Sequence, residues 1–194
     1  MTNYDDNVQK LNFLFDVGKL KQSLDWVLEH ADVNRVDQLC LTYAPHANPH
    51  PDDYYYQGAG SLRYEYYATT TGVKRKLRDP ELKETDFFEF IDKVKHTYFY
   101  DVFKELNTQF EIGRMRIVKV HALHCLTWHR DPSKRIHIPI VTNPGNKLVI
   151  EDNIYFLPAD GSAYLVDTTQ YHSAFNAGIE HRYNLLCTTL DDLY

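Results

Sequence analysis

The chain has 194 residues, a net charge of −6 and 43% hydrophobic residues. This length and composition predict one globular domain, residues 1–194, and exclude a disordered chain. The acidic balance, without a long basic block, argues against nucleic acid as a partner. We expect neither a signal peptide nor a membrane span, because no apolar run has the required length. The three cysteines lack paired spacing, which favours a reducing compartment and predicts a cytoplasmic protein.

The N-terminal half, residues 1–113, predicts helices and supporting strands. Residues 17–31 carry an apolar helical stripe, and Asp16 can cap that helix. Residues 38–43 predict a strand. Two further runs, at 61–68 and 73–77, predict a strand pair.

A second helix is predicted from Asp79-Pro80 onwards, because Pro is favoured at the first helical position and Asp86 with Glu89 offers a further start. Apolar side chains then recur at steps of three and four, which predicts a buried helical face. The members of this stripe are Phe87, Ile91, Val94, Tyr98 and Val102.

Residues 44–60 form a long segment rich in Pro, Gly and Tyr. Long irregular loops in compact domains are often lids or binding loops. One interpretation is a flap that lays the rings of Tyr54–Tyr56 over a substrate. The other is a surface loop pinned by these aromatic rings, and the sequence leaves both open.

After Gly113 the pattern changes to short strands separated by turn residues. Such a pattern predicts a double-sheet jelly roll over residues 114–190, backed by the preceding helices. The predicted strands are 115–121, 134–141, 147–151, 154–157, 163–166, 172–176 and 182–189.

Three His-X-Asp tripeptides occur, at His30, His50 and His129. An imidazole and a carboxylate two residues apart on an extended chain point the same way and can supply two metal ligands. Only His129 and Asp131 are followed by a second histidine at a suitable distance, His172. These three residues match the 2-His-1-carboxylate set of non-haem Fe(II) sites, which leaves coordination positions open.

Three more polar residues are candidates for ligand binding. Arg182, ten residues after His172, can bind a carboxylate through charge-assisted bidentate hydrogen bonds. Arg135 and His137 share one strand face, opposite Ile136. If they are buried they need polar partners, which a dianionic or zwitterionic small molecule would provide. The alternative is a polar strand edge that faces solvent.

Together these residues resemble the Fe(II)/2-oxoglutarate-dependent oxygenases. Within them the pattern is most similar to the aspartyl/asparaginyl β-hydroxylase branch, which includes free-proline hydroxylases. The resemblance covers roughly residues 114–190 and implies a double-stranded β-helix fold of cupin type. It implies iron ligation by His129, Asp131 and His172. It also implies 2-oxoglutarate binding by Arg182, with help from Arg135 and His137.

The activity that this resemblance implies is hydroxylation of an amino-acid side chain, such as Asp, Asn or Pro, free or peptidyl. O₂ and 2-oxoglutarate are consumed, and succinate and CO₂ are released. Because Asp131 is present, the resemblance argues against halogenation, which needs that position vacant. The alternatives are a catalytically silent cupin-type module that binds metal or a carboxylate, and a metal-dependent hydrolase or isomerase. The two arginines favour the oxygenase over the silent module.

The remaining chemical candidates are given structural roles. His121, His124 and Cys125 suggest a zinc site, but no second Cys/His cluster accompanies them. We therefore expect His121 in a strand and His124 in a loop. Three aromatic residues are predicted to be core or pocket walls, namely Trp128, Tyr155 and Tyr164.

Overall fold

The computed structural model describes residues 5–33, 37–47, 50–79 and 81–191. Three α-helices lie among them: α1 (Val17–His30), α2 (Tyr54–Gln57) and α3 (Tyr98–Leu106). The strands are β1 (Val8–Leu14), β2 (Gln38–Cys40), β3 (Thr42–Tyr43), β4 (Tyr64–Thr69), β5 (Gly72–Leu77), β6 (Glu89–Phe90), β7 (Ile112–Val120), β8 (His124–Cys125), β9 (Arg135–Val141), β10 (Asn146–Ile150), β11 (Asn153–Tyr155), β12 (Ser162–Val166), β13 (His172–Asn176) and β14 (Arg182–Thr189).

The chain folds as a cupin-type jelly roll built from two antiparallel sheets. The major sheet has six strands in the order β1-β12-β9-β14-β7-β2. The minor sheet has four strands in the order β11-β10-β13-β8. Two short strand pairs, β3-β6 and β4-β5, complete the fold. The predicted fold class is therefore confirmed, and all seven strands predicted after Gly113 are present.

One face of the major sheet is apolar and packs against α1 and α3. Because side chains alternate along a strand, every second residue of β7, β9 and β14 points to this side. Helix α1 begins as predicted, with the Asp16 side chain accepting from the backbone N–H of Lys19 at 3.0 Å. The fully buried side chains of this cluster include Leu20, Val27, Phe99, Val102, Met115, Ile117, Ile136, Ile138 and Leu185.

The opposite face of the same sheet is polar and points into the jelly roll. Its register is fixed by the strand pairing, in which Leu186 of β14 lies between Arg116 of β7 and His137 of β9. Two residues further along β14, on the same face, Thr188 pairs with Arg135 of β9. The two faces therefore differ in chemistry while both are buried.

The second predicted helix is much shorter than expected. Residues 84–86 and 92–94 form single 3₁₀ turns, and α3 begins only at Tyr98. Phe90 in β6 pairs with Thr42 in β3, and the N–H of Ile91 donates to Leu41 O at 2.9 Å. Because the backbone of residues 89–91 is hydrogen-bonded to residues 41–43, it is extended here and cannot form a helix. Pro80 lies outside the described residues. The prediction that Phe87, Ile91, Val94 and Val102 are core is nevertheless confirmed.

The Tyr-rich segment is pinned to the body of the protein. Tyr55 is buried, and Tyr54 stacks on Tyr43 with ring centroids 4.3 Å apart. The Gln57 amide accepts from Ala44 N at 2.6 Å and donates to Ala44 O at 2.9 Å. All three tyrosines of α2 pack against the helix-side core. These contacts favour the pinned loop over a flap that covers a substrate.

Several smaller expectations differ from the structure. Strand β1 was not predicted, although it completes the edge of the major sheet beside β12. His124 lies in a short strand rather than a loop, and Trp128 is half exposed rather than core. Cys40, Cys125 and Cys187 are free thiols, as expected from their spacing. Among the described helices, none combines the length and apolarity needed to span a membrane.

Candidate metal centre

His129, Asp131 and His172 converge at the mouth of the jelly roll. His129 and His172 form an antiparallel bridge, with reciprocal N–H to O distances of 3.0 and 2.8 Å. The backbone N–H of Asp131 donates to Thr168 O at 2.8 Å, which holds the carboxylate on the same side. One ligand atom from each of the three residues lies within 4.8 Å of the other two. Across the described ranges, this is the one group that could hold a metal ion.

Backbone contacts orient both imidazoles for metal binding. Nδ1 of His129 lies 2.7 Å from Thr127 O, and Nδ1 of His172 lies 3.0 Å from Gln170 O. Each Nδ1 therefore carries the proton and donates it, which leaves Nε2 as the metal-binding atom. Burial lowers the pKa of His172, so this ring is neutral at pH 7, as a metal ligand must be. The donor set of two nitrogens and one oxygen fits Fe(II).

The carboxylate of Asp131 is oriented by a hydrogen bond and ion pair with Arg135. Nε of Arg135 donates to Asp131 Oδ2 at 3.2 Å. Its Nη1 donates to Ser133 Oγ at 3.0 Å, and its Nη2 donates to Glu84 Oε1 at 2.9 Å. All three guanidinium nitrogens thus have protein partners. Arg135 thus fixes the orientation of the Asp131 carboxylate, and the Oδ2 atom that it binds also lies 4.0 Å from Nε2 of His172.

Glu84 is the centre of a buried charge network that sequence analysis missed. Its carboxylate accepts from Arg114 Nε at 3.0 Å and Nη2 at 2.8 Å, a bidentate pair. It also accepts from Arg135 Nη2 and, at 2.9 Å, from Thr188 Oγ1. Burial alone would raise the pKa of Glu84, but the guanidinium groups around it, that of Arg114 foremost, outweigh this and lower its pKa to about 2. Glu84 is therefore ionised and ties the metal-ligand side of the site to β7.

His137 lies deeper on the same polar face and is also buried. Its Nδ1 lies 3.2 Å from Asn184 Nδ2, and its Nε2 has no hydrogen-bond partner in the described part of the chain. Burial, followed by the nearby Arg182 charge, holds the pKa of His137 well below its usual range. With Asn184 donating to Nδ1, the neutral ring carries its proton on Nε2. This N–H can donate to a bound oxygen atom.

Arg182 lies at the far end of the polar face and has no acidic partner among the described residues. It lines a small cleft with Thr142, Asn146 and Leu157. No carboxylate of the described residues lies within 4.0 Å of its guanidinium, and burial lowers the pKa of Arg182 to about 10. The side-chain oxygens Thr142 Oγ1 and Asn146 Oδ1 in the same cleft are buried without a hydrogen bond from the residues described. The Arg182 guanidinium and the Thr142 hydroxyl can donate to a carboxylate in this cleft, whereas Asn146 Oδ1 can only accept a hydrogen bond.

The structure places all six sequence-predicted site residues on one side of the major sheet. The alternative in which Arg135 and His137 form a solvent-facing edge is wrong, because their exposed fractions are 1% and 7%. Whether Arg135 contacts a cosubstrate stays a prediction, and its observed contacts favour holding Asp131. Glu84 could not have been found from the sequence, because it lies 47 residues before Asp131 in a segment with a helix-like pattern. Asn184 could have been found, since it shares a strand face with Arg182.

Within the described ranges, neither of the other His-X-Asp tripeptides, nor His121, belongs to a group of three possible metal ligands. His50 and Asp52 are strongly exposed and contact each other at 3.6 Å. His30 packs on Trp26 in the last turn of α1, with Nδ1 2.7 Å from Trp26 O. Nε2 of His121 lies 2.7 Å from Asp37 Oδ1. These contacts support structural roles for all of them.

Comparison with known proteins decides the family. A family model described as aspartyl/asparaginyl beta-hydroxylase matches residues 92–191, about half of the chain. The chain belongs to this family. The matched range contains all six predicted site residues and omits Glu84. A search of curated proteins gives no match.

Solved structures of similar fold include viral collagen prolyl hydroxylase from Paramecium bursaria Chlorella virus-1 in complex with 2OG. The match has a TM-score of 0.50 at 6% identity, and covers 95% of this chain and 96% of that chain. A 2OG-Fe(II) oxygenase family oxidoreductase from Burkholderia pseudomallei matches with a TM-score of 0.48 at 16% identity, covering 94% and 84%. A cupin domain from Bordetella pertussis matches with a TM-score of 0.36 at 15% identity, covering 41% and 82%. At these identities, the viral hydroxylase match supports the fold alone.

Proposed function

We propose that the protein is an Fe(II)- and 2-oxoglutarate-dependent dioxygenase that hydroxylates an amino-acid side chain, free or peptidyl. The observation that carries the proposal is the convergence of His129, Asp131 and His172 beside a buried polar face that ends in Arg182. Family membership supports the same reaction class. When bound, Fe(II) would activate O₂, and oxidation of 2-oxoglutarate to succinate and CO₂ would supply two electrons and take up one oxygen atom, so that the other can be inserted into a C–H bond.

The residues of this chain would bind and orient the reactants. The two Nε2 atoms and a carboxylate oxygen of Asp131 would hold iron. Arg182 would bind the distal carboxylate of 2-oxoglutarate through two N–H donors, with Thr142 and Asn146 beside it. The Nε2–H of His137 would donate to an oxygen at the other end of the cosubstrate.

A spectroscopic titration tests the proposal. Purified protein receives Fe(II) and then 2-oxoglutarate without oxygen, and the visible spectrum is recorded. We expect a metal-to-ligand charge-transfer band that is lost in His129→Ala. The matched control is His50→Ala, which removes a histidine from an exposed His-X-Asp tripeptide and should leave the band unchanged.

The outcomes separate the proposed function from its main competitor. A band in the native protein that His129→Ala removes supports a bound cosubstrate on the iron. Bound metal without a band would contradict the proposal and favour a silent cupin-type module. A band that survives in His129→Ala would contradict the assignment of this ligand.

A further inference from the structure

The histidine that precedes Arg182 accepts a hydrogen bond that depends on its protonation state. Nδ1 of His181 lies 3.1 Å from the backbone nitrogen of Ala122. Because a backbone N–H can only donate, Nδ1 of His181 must be unprotonated, and the neutral ring carries its proton on Nε2. A proton on Nδ1 would abolish the hydrogen bond. This contact therefore forms only while the His181 ring is neutral.

The same hydrogen bond joins two loops at the Arg182 end of the β7–β14 pair. Val120 of β7 is the cross-strand partner of Arg182 in β14. Ala122 lies two residues beyond this pair on one strand, and His181 lies one residue before it on the other. We call the two loops, residues 121–123 and 177–181, the end loops. They meet directly beside the residue that closes the polar face.

Leu123 shows that the first end loop is held in an unfavourable conformation. Its φ is 54°, in the left-handed region that residues with a side chain seldom occupy, and it is 75% exposed. Such a conformation persists only where neighbouring contacts impose it. The N–H of Leu123 donates to Gly178 O at 3.1 Å, and the preceding N–H donates to His181. Loss of the His181 contact would remove one of these two restraints.

Hydrogen bonds connect the end loops to the Arg182 cleft. Nδ2 of Asn176 donates to Val120 O at 3.4 Å and to Glu180 O at 2.7 Å. Its Oδ1 accepts from Nδ2 of Asn146 at 3.2 Å, and Asn146 lines the cleft together with Arg182. A movement of either end loop would therefore be transmitted to the cleft.

The charges around His181 oppose its protonation. Its ring lies at 84° to that of His121, with centroids 5.0 Å apart. Desolvation, followed by the charges of Lys119 and His121, lowers the pKa of His181 below 6.5, and Asp37 acts in the opposite direction. Asp37 Oδ1 lies 2.7 Å from Nε2 of His121. The charged and titratable groups around the ring are Lys119, His121, His124, Asp37, Glu180 and Arg182.

We propose that His181 is a positioning residue for the Arg182 cleft, which its neutral ring keeps closed by holding the end loops together. This inference rests on the proposed function, in which Arg182 takes the distal carboxylate of 2-oxoglutarate. Protonation of His181 would release the first end loop and weaken cosubstrate binding. The sign is opposite to that of a simple charge effect, because an added positive charge near Arg182 would strengthen the binding of a dianion.

Two variants of His181 separate the hydrogen bond from the charge. In His181→Asn, the amide oxygen lies near the position of Nδ1 and can accept from Ala122 at every pH. His181→Ala has no acceptor. The affinity for 2-oxoglutarate is measured by calorimetry on Mn(II)-saturated protein between pH 7.5 and 5.0. The matched control is His50→Asn, which changes an exposed histidine and should follow the native protein at every pH.

We expect His181→Asn to bind as tightly as native protein at pH 7.5, and His181→Ala to bind about 5-fold more weakly. As the pH falls, the native protein should lose about 5-fold relative to His181→Asn. Protonation of the metal-ligand histidines weakens all variants alike and cancels in this ratio. The midpoint of the ratio should coincide with the pKa of His181, measured by NMR.

A second readout follows the hydrogen bond without the cosubstrate. Hydrogen exchange of the Ala122 amide is compared between native protein and His181→Asn at the same pH. The native amide should lose protection as His181 becomes protonated, whereas the amide in His181→Asn should stay protected. If no variant binds 2-oxoglutarate at pH 7.5, the proposed function fails, and this exchange measurement still decides whether the His181 contact is sensitive to pH.

Three results would overturn the inference. The first is the same pH dependence of affinity in native protein and in His181→Asn. The second is native affinity in His181→Ala at pH 7.5. The third is an affinity that rises in native protein relative to His181→Asn as the pH falls, which would assign a charge effect to His181. The first and third comparisons stand even if His181→Ala fails to fold.

Discussion

The two faces of the major sheet bury their side chains to a similar extent but with opposite chemistry. On the helix side, Ile117, Ile138 and Leu185 are fully buried among other apolar groups. On the jelly-roll side, alternate positions of the same strands include buried arginine, histidine and asparagine side chains. Strand alternation places both sets within a few residues of one another. One sheet therefore carries the core on one side and the site on the other.

The difference between the faces shows where the molecule gains stability and where it gives stability up. Each fully buried aliphatic side chain on the helix side contributes about 1.5–3 kcal/mol of transfer free energy. On the other side, each buried polar group without a partner costs about 1–3 kcal/mol. Within the described ranges, the atoms concerned are Arg116 Nε, His137 Nε2 and Asn184 Oδ1 on this face, with Thr142 Oγ1 and Asn146 Oδ1 in the adjoining cleft. A bound ligand that hydrogen-bonds to these groups would offset this free-energy cost, which explains why the face is polar although it is buried.

The largest expected effect on stability comes from the centre of the charge network. Glu84→Gln leaves Arg114 and Arg135 buried without their counter-charge, and should lower the free energy of unfolding by about 3–5 kcal/mol. Urea denaturation of both proteins at pH 7 measures this. The matched control is Glu81→Gln, an exposed position three residues earlier, which should change little. An unchanged midpoint in Glu84→Gln would show that the network is not stabilising.

The difference in free energy of unfolding between native protein and Glu84→Gln should also depend on pH. Because the pKa of Glu84 is lowered from 4.5 to about 2 in the folded state, its contribution is fully present above pH 4.5. The contribution is lost as the pH falls from 4.5 towards 2. The stability gap between native protein and Glu84→Gln should therefore shrink over this range. A gap that stayed constant down to pH 2.5 would contradict the lowered pKa.

On the helix side the expected effect is on stability alone. Ile138→Ala should lower the free energy of unfolding by about 2–5 kcal/mol through the cavity that it leaves. Metal and 2-oxoglutarate affinities of the folded variant should stay within about 3-fold of native, because Ile138 points away from the site. Calorimetry at a temperature where the variant is folded measures both affinities. A large loss of affinity would mean that the two faces are coupled.

The smallest expected effect comes from one orphaned hydroxyl on the polar face. Thr142→Val replaces a buried, unbonded Oγ1 with a methyl group of similar size, so stability should be unchanged or rise by up to about 1 kcal/mol. Affinity for 2-oxoglutarate should fall modestly, by about 5-fold, because the cleft around Arg182 loses a polar group. Thermal denaturation and calorimetry give both values. A stability loss together with unchanged affinity would remove Thr142 from the cosubstrate site.

The sequence predicted the jelly-roll half well because its signals are local. Turn residues bound each strand after Gly113, and alternation placed Arg135 and His137 on one face. The prediction failed where tertiary pairing decides, as at Phe90, which joins strand β3 instead of continuing a helix. Glu84 was missed for the same reason, since its partners come from strands 30 and 51 residues later. No pattern in the neighbouring sequence indicates that Glu84 is buried or paired with these arginines.

The most direct test of the contrast between the two faces is Arg182→Met, measured for stability and for 2-oxoglutarate affinity in one preparation. A buried charge with no acidic partner in the described part of the chain is replaced by an apolar side chain of similar length. We predict a free energy of unfolding equal to or above that of native protein, with 2-oxoglutarate affinity reduced by about 30-fold or more. A variant that is less stable by several kcal/mol, yet binds 2-oxoglutarate normally when folded, would contradict the account and make Arg182 a structural residue.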